Sequence, residues 1–179
     1  LSPSGTVWGT APFTLRVSCT VDYPATGTVI YANDFPFTVT EANGIHTLDA
    51  ISNLPYGAKC AISEPKTGGA NASTIDVPNQ TIGKDTTVTT KVTNTFNTGS
   101  VTVSKVLLVN GQSATAIEPW ASASYTMKLS CTRIVDGTPE SLNMALVGGD
   151  TKVLKAPGFA ATWTGLPQDA TCRATETTI

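Results

Sequence analysis

The stretch LPYGAKCAISE, residues 54 to 64, returns as LPQDATCRATE at residues 166 to 176. Five of the eleven positions are identical, among them a cysteine and a glutamate four residues apart. The correspondence extends outward from there. Trp8 and Trp120, Cys19 and Cys131, and Cys60 and Cys172 all keep one spacing of 112 residues, and WGTAPFTLRVSCT (8 to 20) faces WASASYTMKLSCT (120 to 132) without a gap. Self-similarity at a fixed period marks a tandem array, so the 179 residues read as two copies of one module.

Each copy reads as β structure. Threonine occurs 31 times and valine fills many of the apolar positions; both are β-branched and pack well on a pleated surface. FTLRVSC (13 to 19), STIDVP (73 to 78), TTVTTKVTNTF (86 to 96) and SVTVSKVLLV (100 to 109) alternate or are β-branched throughout. Residues 120 to 132 show the alternation Tyr125, Met127, Leu129, Cys131 and no helical period. Asn43-Gly44, Gly68-Gly69, Asn110-Gly111 and Gly148-Gly149 punctuate these runs as turns. Short strands at regular spacing predict an all-β chain of two tandem immunoglobulin-like antiparallel β-sandwich modules.

The ends are out of register with the period. The strand that opens the second copy, SVTVSKVLLV, has no counterpart after Leu1, and the one that closes the first, TTVTTKVTNTF, has none before Ile179. The expected division is therefore 1–98, a first module without its first strand, and 99–179, a second without its last strands, as in a window cut from a longer array.

Four cysteines permit three pairings. Cys19 with Cys60 and Cys131 with Cys172 is the only pairing that is both local and the same in each copy, with 41 residues between partners. The rivals are free thiols or a zinc site, but zinc favours close-spaced ligand pairs, and the chain has no CxxC and only one histidine, His46. Disulfides imply an oxidising compartment.

Charged residues make up 13% of the chain and the net charge is −2, so no basic stripe is present to neutralise phosphates and nucleic acid is not an expected partner. No apolar run approaches the length needed to cross a bilayer. No G-x-S-x-G elbow or serine–histidine arrangement appears, and the aspartates are scattered singly outside any calcium-loop spacing. Neither an enzyme, a cofactor nor a metal site is expected. His46 reads as a solvated residue beside a turn, Trp8 and Trp120 as packing residues at a module edge, and Trp163 as core.

The segment VTNTFNTGSVTVSKV (92 to 106), with the LP-x-x-A-x-C-x-x-x-E motif at 54 to 64 and 166 to 176, resembles the repeat modules of Gram-positive surface proteins. It is similar to CnaB-like stalk domains, and more closely to the cysteine-containing repeats of unknown function in large actinobacterial surface proteins. The resemblance implies an extracellular, wall-attached or filamentous structural role. It also implies a candidate isopeptide crosslink between a first-strand lysine and a last-strand asparagine beside a buried acid. Lys105, Glu176, Glu64 and Asn94 are the matching residues, and side-chain parity points all four the way the apolar residues point. The two copies divide the set: the first holds Glu64 and Asn94, the second Lys105 and Glu176.

The expected function is thus that of structural repeat modules of a cell-surface or secreted fibre, stalk or adhesin. One disulfide staples each module, neighbouring modules are the first partners, and strand donation builds filaments. The rival is a module that binds carbohydrate or a host protein through loops at 65 to 72 or 133 to 150.

Overall fold

The structure, a computed structural model, describes residues 12–39, 44–114, 119 and 122–178. These fall into two compact units, the first ending at Phe96 and the second beginning at Asn97. Trp8 and Trp120 lie outside the described residues.

In the first unit β1 (Phe13–Val21) is one of the two inner strands of a four-stranded sheet. It pairs antiparallel with β2 (Thr28–Phe37) on one side and β3 (Lys59–Thr67) on the other, and β5 (Asn79–Thr81) adds to the far edge of β3. The alternation in FTLRVSC drives this placement: Phe13 and Cys19 turn inward and are buried, while Arg16 stays outside and pairs with Asp34 across the β1–β2 ladder at 2.6 Å. A second, two-stranded sheet is formed by β4 (Ala72–Ile75) and β6 (Val92–Thr95). Phe96, just past β6, meets the Phe13 ring edge-on at 6.4 Å, and Phe37 stacks on the same ring at 5.4 Å.

The second unit repeats the first sheet. Its long strand β10 (Ser124–Val135) holds the place of β1 and pairs with β14 (Thr171–Thr178) as β1 pairs with β3. Its other edge carries β11 (Thr138–Ser141) and β12 (Thr151–Lys155) in succession. The second sheet consists of β7 (Thr98–Ser104) against β13 (Ala160–Pro167), and a small hairpin, β8 (Leu108–Val109) with β9 (Gln112–Ser113), follows β7. Leu107, Ala114, Tyr125, Leu154 and Phe159 form one buried cluster of this unit, with Val103, Val109, Met127 and Ala161 packed against them, and Leu129, Trp163 and Leu166 are buried as well. The fold is all-β, antiparallel throughout, and arranged as tandem sandwiches.

Several expectations need correction. Residues 86 to 96 do not form one strand, because only Val92–Thr95 pairs; Val88, which shares the parity of Asn94, is exposed. SVTVSKVLLV is broken between Ser104 and Leu108, since the chain leaves β13 to enter the β8–β9 hairpin. Its two-residue period survives the break: Val101, Val103, Lys105 and Val109 are half-buried and Leu107 buried, while the residues between them are exposed. Gapless alignment also fails locally. Phe13 faces Phe37 across the first hairpin, but Tyr125 faces Leu154 five positions further along. The extra length is taken up by a short 3-10 helix, Met144–Val147, capped by the Asn143 side chain and ended at Gly148 with φ of 88°. Residues 133 to 150 are accordingly no free loop.

Candidate functional site

The two cystines sit at the same point of the two units. Cys19 and Cys60 are direct cross-strand partners in β1 and β3, and Cys131 and Cys172 in β10 and β14. Both pairs are disulfide-bonded, with Cα atoms 4.0 and 4.1 Å apart and 41 residues between partners. Each bond therefore joins neighbouring strands within one sheet, and does not bridge the two sheets as the immunoglobulin cystine does. Three of the four cysteines are buried and Cys172 is half-buried. Closing a loop of this size contributes about 4 kcal/mol in the chain-entropy account.

Four residues beyond each second cysteine, on the same face of the strand, stands a glutamate that reaches toward the other sheet. In the second unit Glu176 receives Lys105, whose Nζ donates to Oε1 at 2.8 Å and Oε2 at 2.7 Å. The two side chains are 24% and 26% exposed, which places the pair part-way into the sandwich. The Lys105 ammonium also lies 4.1 Å from the centre of the Tyr125 ring, where the π face attracts a cation. The backbone N–H of Lys105 donates to the Phe159 carbonyl at 2.9 Å, which extends the β7–β13 ladder by one residue.

In the first unit the equivalent Glu64 faces a carboxamide. Asn94 Nδ2 donates to Glu64 Oε1 at 2.7 Å, and the Ser73 hydroxyl donates to the other carboxylate oxygen. The Asn94 Oδ1 atom is buried without a hydrogen-bond partner. Each unit therefore holds the acid with one of the two groups of the isopeptide pattern. Among the described residues neither unit brings lysine, acid and asparagine together.

The remaining candidates are structural. The His46 ring stacks on Phe37 with centroids 4.6 Å apart, so it packs against the first sheet, contrary to the solvated reading; an aromatic wall cannot be inferred from its turn-rich sequence neighbours. Trp163 is fully buried, and its Nε1 donates to the Gly149 carbonyl at 2.9 Å. Arg133, within the expected binding loop, is buried in β10 with an ion pair to Asp169 at 3.1 Å. Asp76 stands singly in the sequence, with no acidic neighbour. Its Oδ1 accepts from the backbone N–H of Lys91, the Thr90 hydroxyl and the backbone N–H of Val77, each at 2.7 Å. These bonds, the one from Lys91 first, hold its carboxyl below the usual aspartate range. No local spacing signals a clasp between residues so far apart. Among the described residues no three of His, Cys, Asp and Glu are grouped to hold a metal, and no helix is long and apolar enough to cross a membrane.

Neither curated proteins nor solved structures show a match to the chain. One family model matches twice, over residues 2–97 and 101–179, which agrees with the repeated cystine and glutamate positions. The chain belongs to the family described as Domain of unknown function (DUF5979) and carries two copies of it.

Proposed function

We propose that the chain is a non-catalytic structural segment of an extracellular fibre, stalk or adhesin, in which each sandwich is a disulfide-stapled spacer and neighbouring polypeptides join by strand addition. The observation that carries this reading is the cross-strand cystine repeated at one position in both units. Cystines of this kind persist where the medium is oxidising, outside the cell or at its surface. Low charge and short threonine-rich strands suit a module whose work is to stay folded.

The test is protease shaving of intact cells that make the parent polypeptide. Release of peptides from this segment before lysis is the expected outcome. Release only after lysis contradicts the extracellular assignment.

A further inference from the structure

We propose that the outer edge of β2 is a self-association surface: two copies of the chain pair β2 to β2, antiparallel about a two-fold axis at Asn33, and so join their first sheets into one. This rests on the strand-addition part of the reading above and deepens it by naming the edge and the partner, a second copy of this chain.

β2 is a ten-residue strand at one end of the sheet order β2-β1-β3-β5, so among the described residues nothing pairs with its far side. The matching edge of the second unit is unpaired as well, but it is guarded. There β11 and β12 are only four and five residues long, and they carry Pro139, Lys152 and Lys155. Short strands, proline and lysine all discourage edge-to-edge pairing. β2 is long, has no lysine, and leaves Val29 and Ile30 exposed.

The backbone fixes which residues face out. Pro36 stands opposite Thr14 but has no N–H to give, so its backbone groups turn away from β1. Alternate residues of an antiparallel ladder point to alternate sides, so Asp34 and Ala32 face outward with it. The cystine agrees. Cys19 and Cys60 have Cα atoms 4.0 Å apart, the close spacing of a pair without mutual hydrogen bonds, so Cys19 turns its backbone groups to Tyr31 in β2 and Ala32 is left facing out.

Those outward groups complement a second copy of themselves. With Asn33 on the two-fold axis, Ala32 of each copy exchanges backbone hydrogen bonds with Asp34 of the other, and no two charges stand opposed. Each Asp34 is already neutralised by Arg16 of its own copy at 2.6 Å. Sliding by two residues one way sets Asp34 directly against Asp34, which repels. Sliding the other way sets Asp34 against Ile30, which falls in the bulge between Tyr31 opposite Cys19 and Val29 opposite Thr20. In the central register Pro36, which has no N–H, meets that bulge and ends the seam. On the other face of the strand the two Asn33 carboxamides meet, each with a donor and an acceptor. Tyr31 of each copy lies across from Phe35 of the other, and both rings, half-buried in one copy, gain an aromatic cross-strand neighbour.

The test is sedimentation of the whole chain over a concentration series, with its disulfides intact. A reversible monomer–dimer equilibrium below millimolar protein is expected, as suits a seam of one strand pair. Asn33→Lys sets two ammonium groups against each other at the two-fold axis and is expected to weaken the dimer roughly tenfold or more. Asn33 is exposed, so each copy accommodates the lysine. Val153→Lys, on the exposed edge strand of the second unit, is expected to leave the dimer unchanged. A monomer at millimolar concentration, or a dimer that Asn33→Lys leaves equally strong, overturns the proposal. Neither result touches the shaving experiment, which reports on location and not on association.

Discussion

Lys105 and Glu176 are 71 residues apart in sequence, and their side chains meet in a two-pronged salt bridge at 2.7 and 2.8 Å that ties the end of β7 to β14. It joins the two sheets of the second unit at a point that is neither solvent nor dry core. The carboxylate and the Tyr125 ring both favour the cation, so the pair contributes more than a surface ion pair does. Lys105→Met and Glu176→Gln are each expected to lower stability by about 1–2 kcal/mol. A double-mutant cycle read by chemical denaturation is expected to show coupling of about 1 kcal/mol. Additive losses would mean that the bridge is a surface pair only.

Gly68 tests the packing of the first unit. Its φ is +60°, and a Cβ built there lies 2.6 Å from the Phe13 ring, which is itself held by Phe37 and Phe96. Gly68→Ala is expected to cost roughly 2 kcal/mol or more, from left-handed backbone strain and displacement of the ring. An unchanged denaturation midpoint would contradict this packing.

Trp163 anchors the second unit. Trp163→Ala removes a fully buried ring and is expected to cost about 3–5 kcal/mol. Trp163→Phe keeps most of the apolar contact but leaves the Gly149 carbonyl without its indole donor, for a smaller loss of about 1–3 kcal/mol. Equal losses in the two variants would show that the hydrogen bond, not the ring, dominates.

Asp76 sets part of the acid response of the first unit. Its folded pKa is lowered, chiefly by the Lys91 N–H, so the folded state favours the charged form. The stability this gives is fully present above the ordinary aspartate value of about 4 and is lost as pH falls through the lowered folded value. Asp76→Asn is expected to shrink the difference between midpoints measured at pH 6 and pH 2.5. The same difference in both proteins would remove Asp76 from the acid response.

The period of 112 residues was legible because cystines and glutamates recur at positions where the fold tolerates little else. The alternation from Val101 to Val109 was legible for a related reason: one face is in the sandwich and the other in water. What escaped was set by tertiary pairing. Nothing in TTVTTKVTNTF marks where pairing begins, because threonine and valine suit both a ladder and an extended connection. The 3-10 helix at Met144–Val147 hides in a stretch whose only flag is Gly148-Gly149. Asn110-Gly111 was read as a turn and forms one, with both φ values positive at 53° and 80°. Asp136-Gly137 turns β10 into β11 in the same way, with φ values of 49° and 79°, and its sequence carries an equal signal. Lys105 and Glu176 meet as their parity suggested, whereas the pairing of Glu64 with Asn94 needed the β4–β6 sheet to be in place.

The most direct test of the account is a guanidinium unfolding curve of the intact chain, oxidised and then fully reduced under otherwise identical conditions. If the cystines hold these small sandwiches folded, reduction lowers the stability of each unit by about 4 kcal/mol and moves the midpoint down accordingly. Superimposable curves would mean that the sheets stand without their staples, and the disulfide-based case for a structural module of the cell exterior would fall.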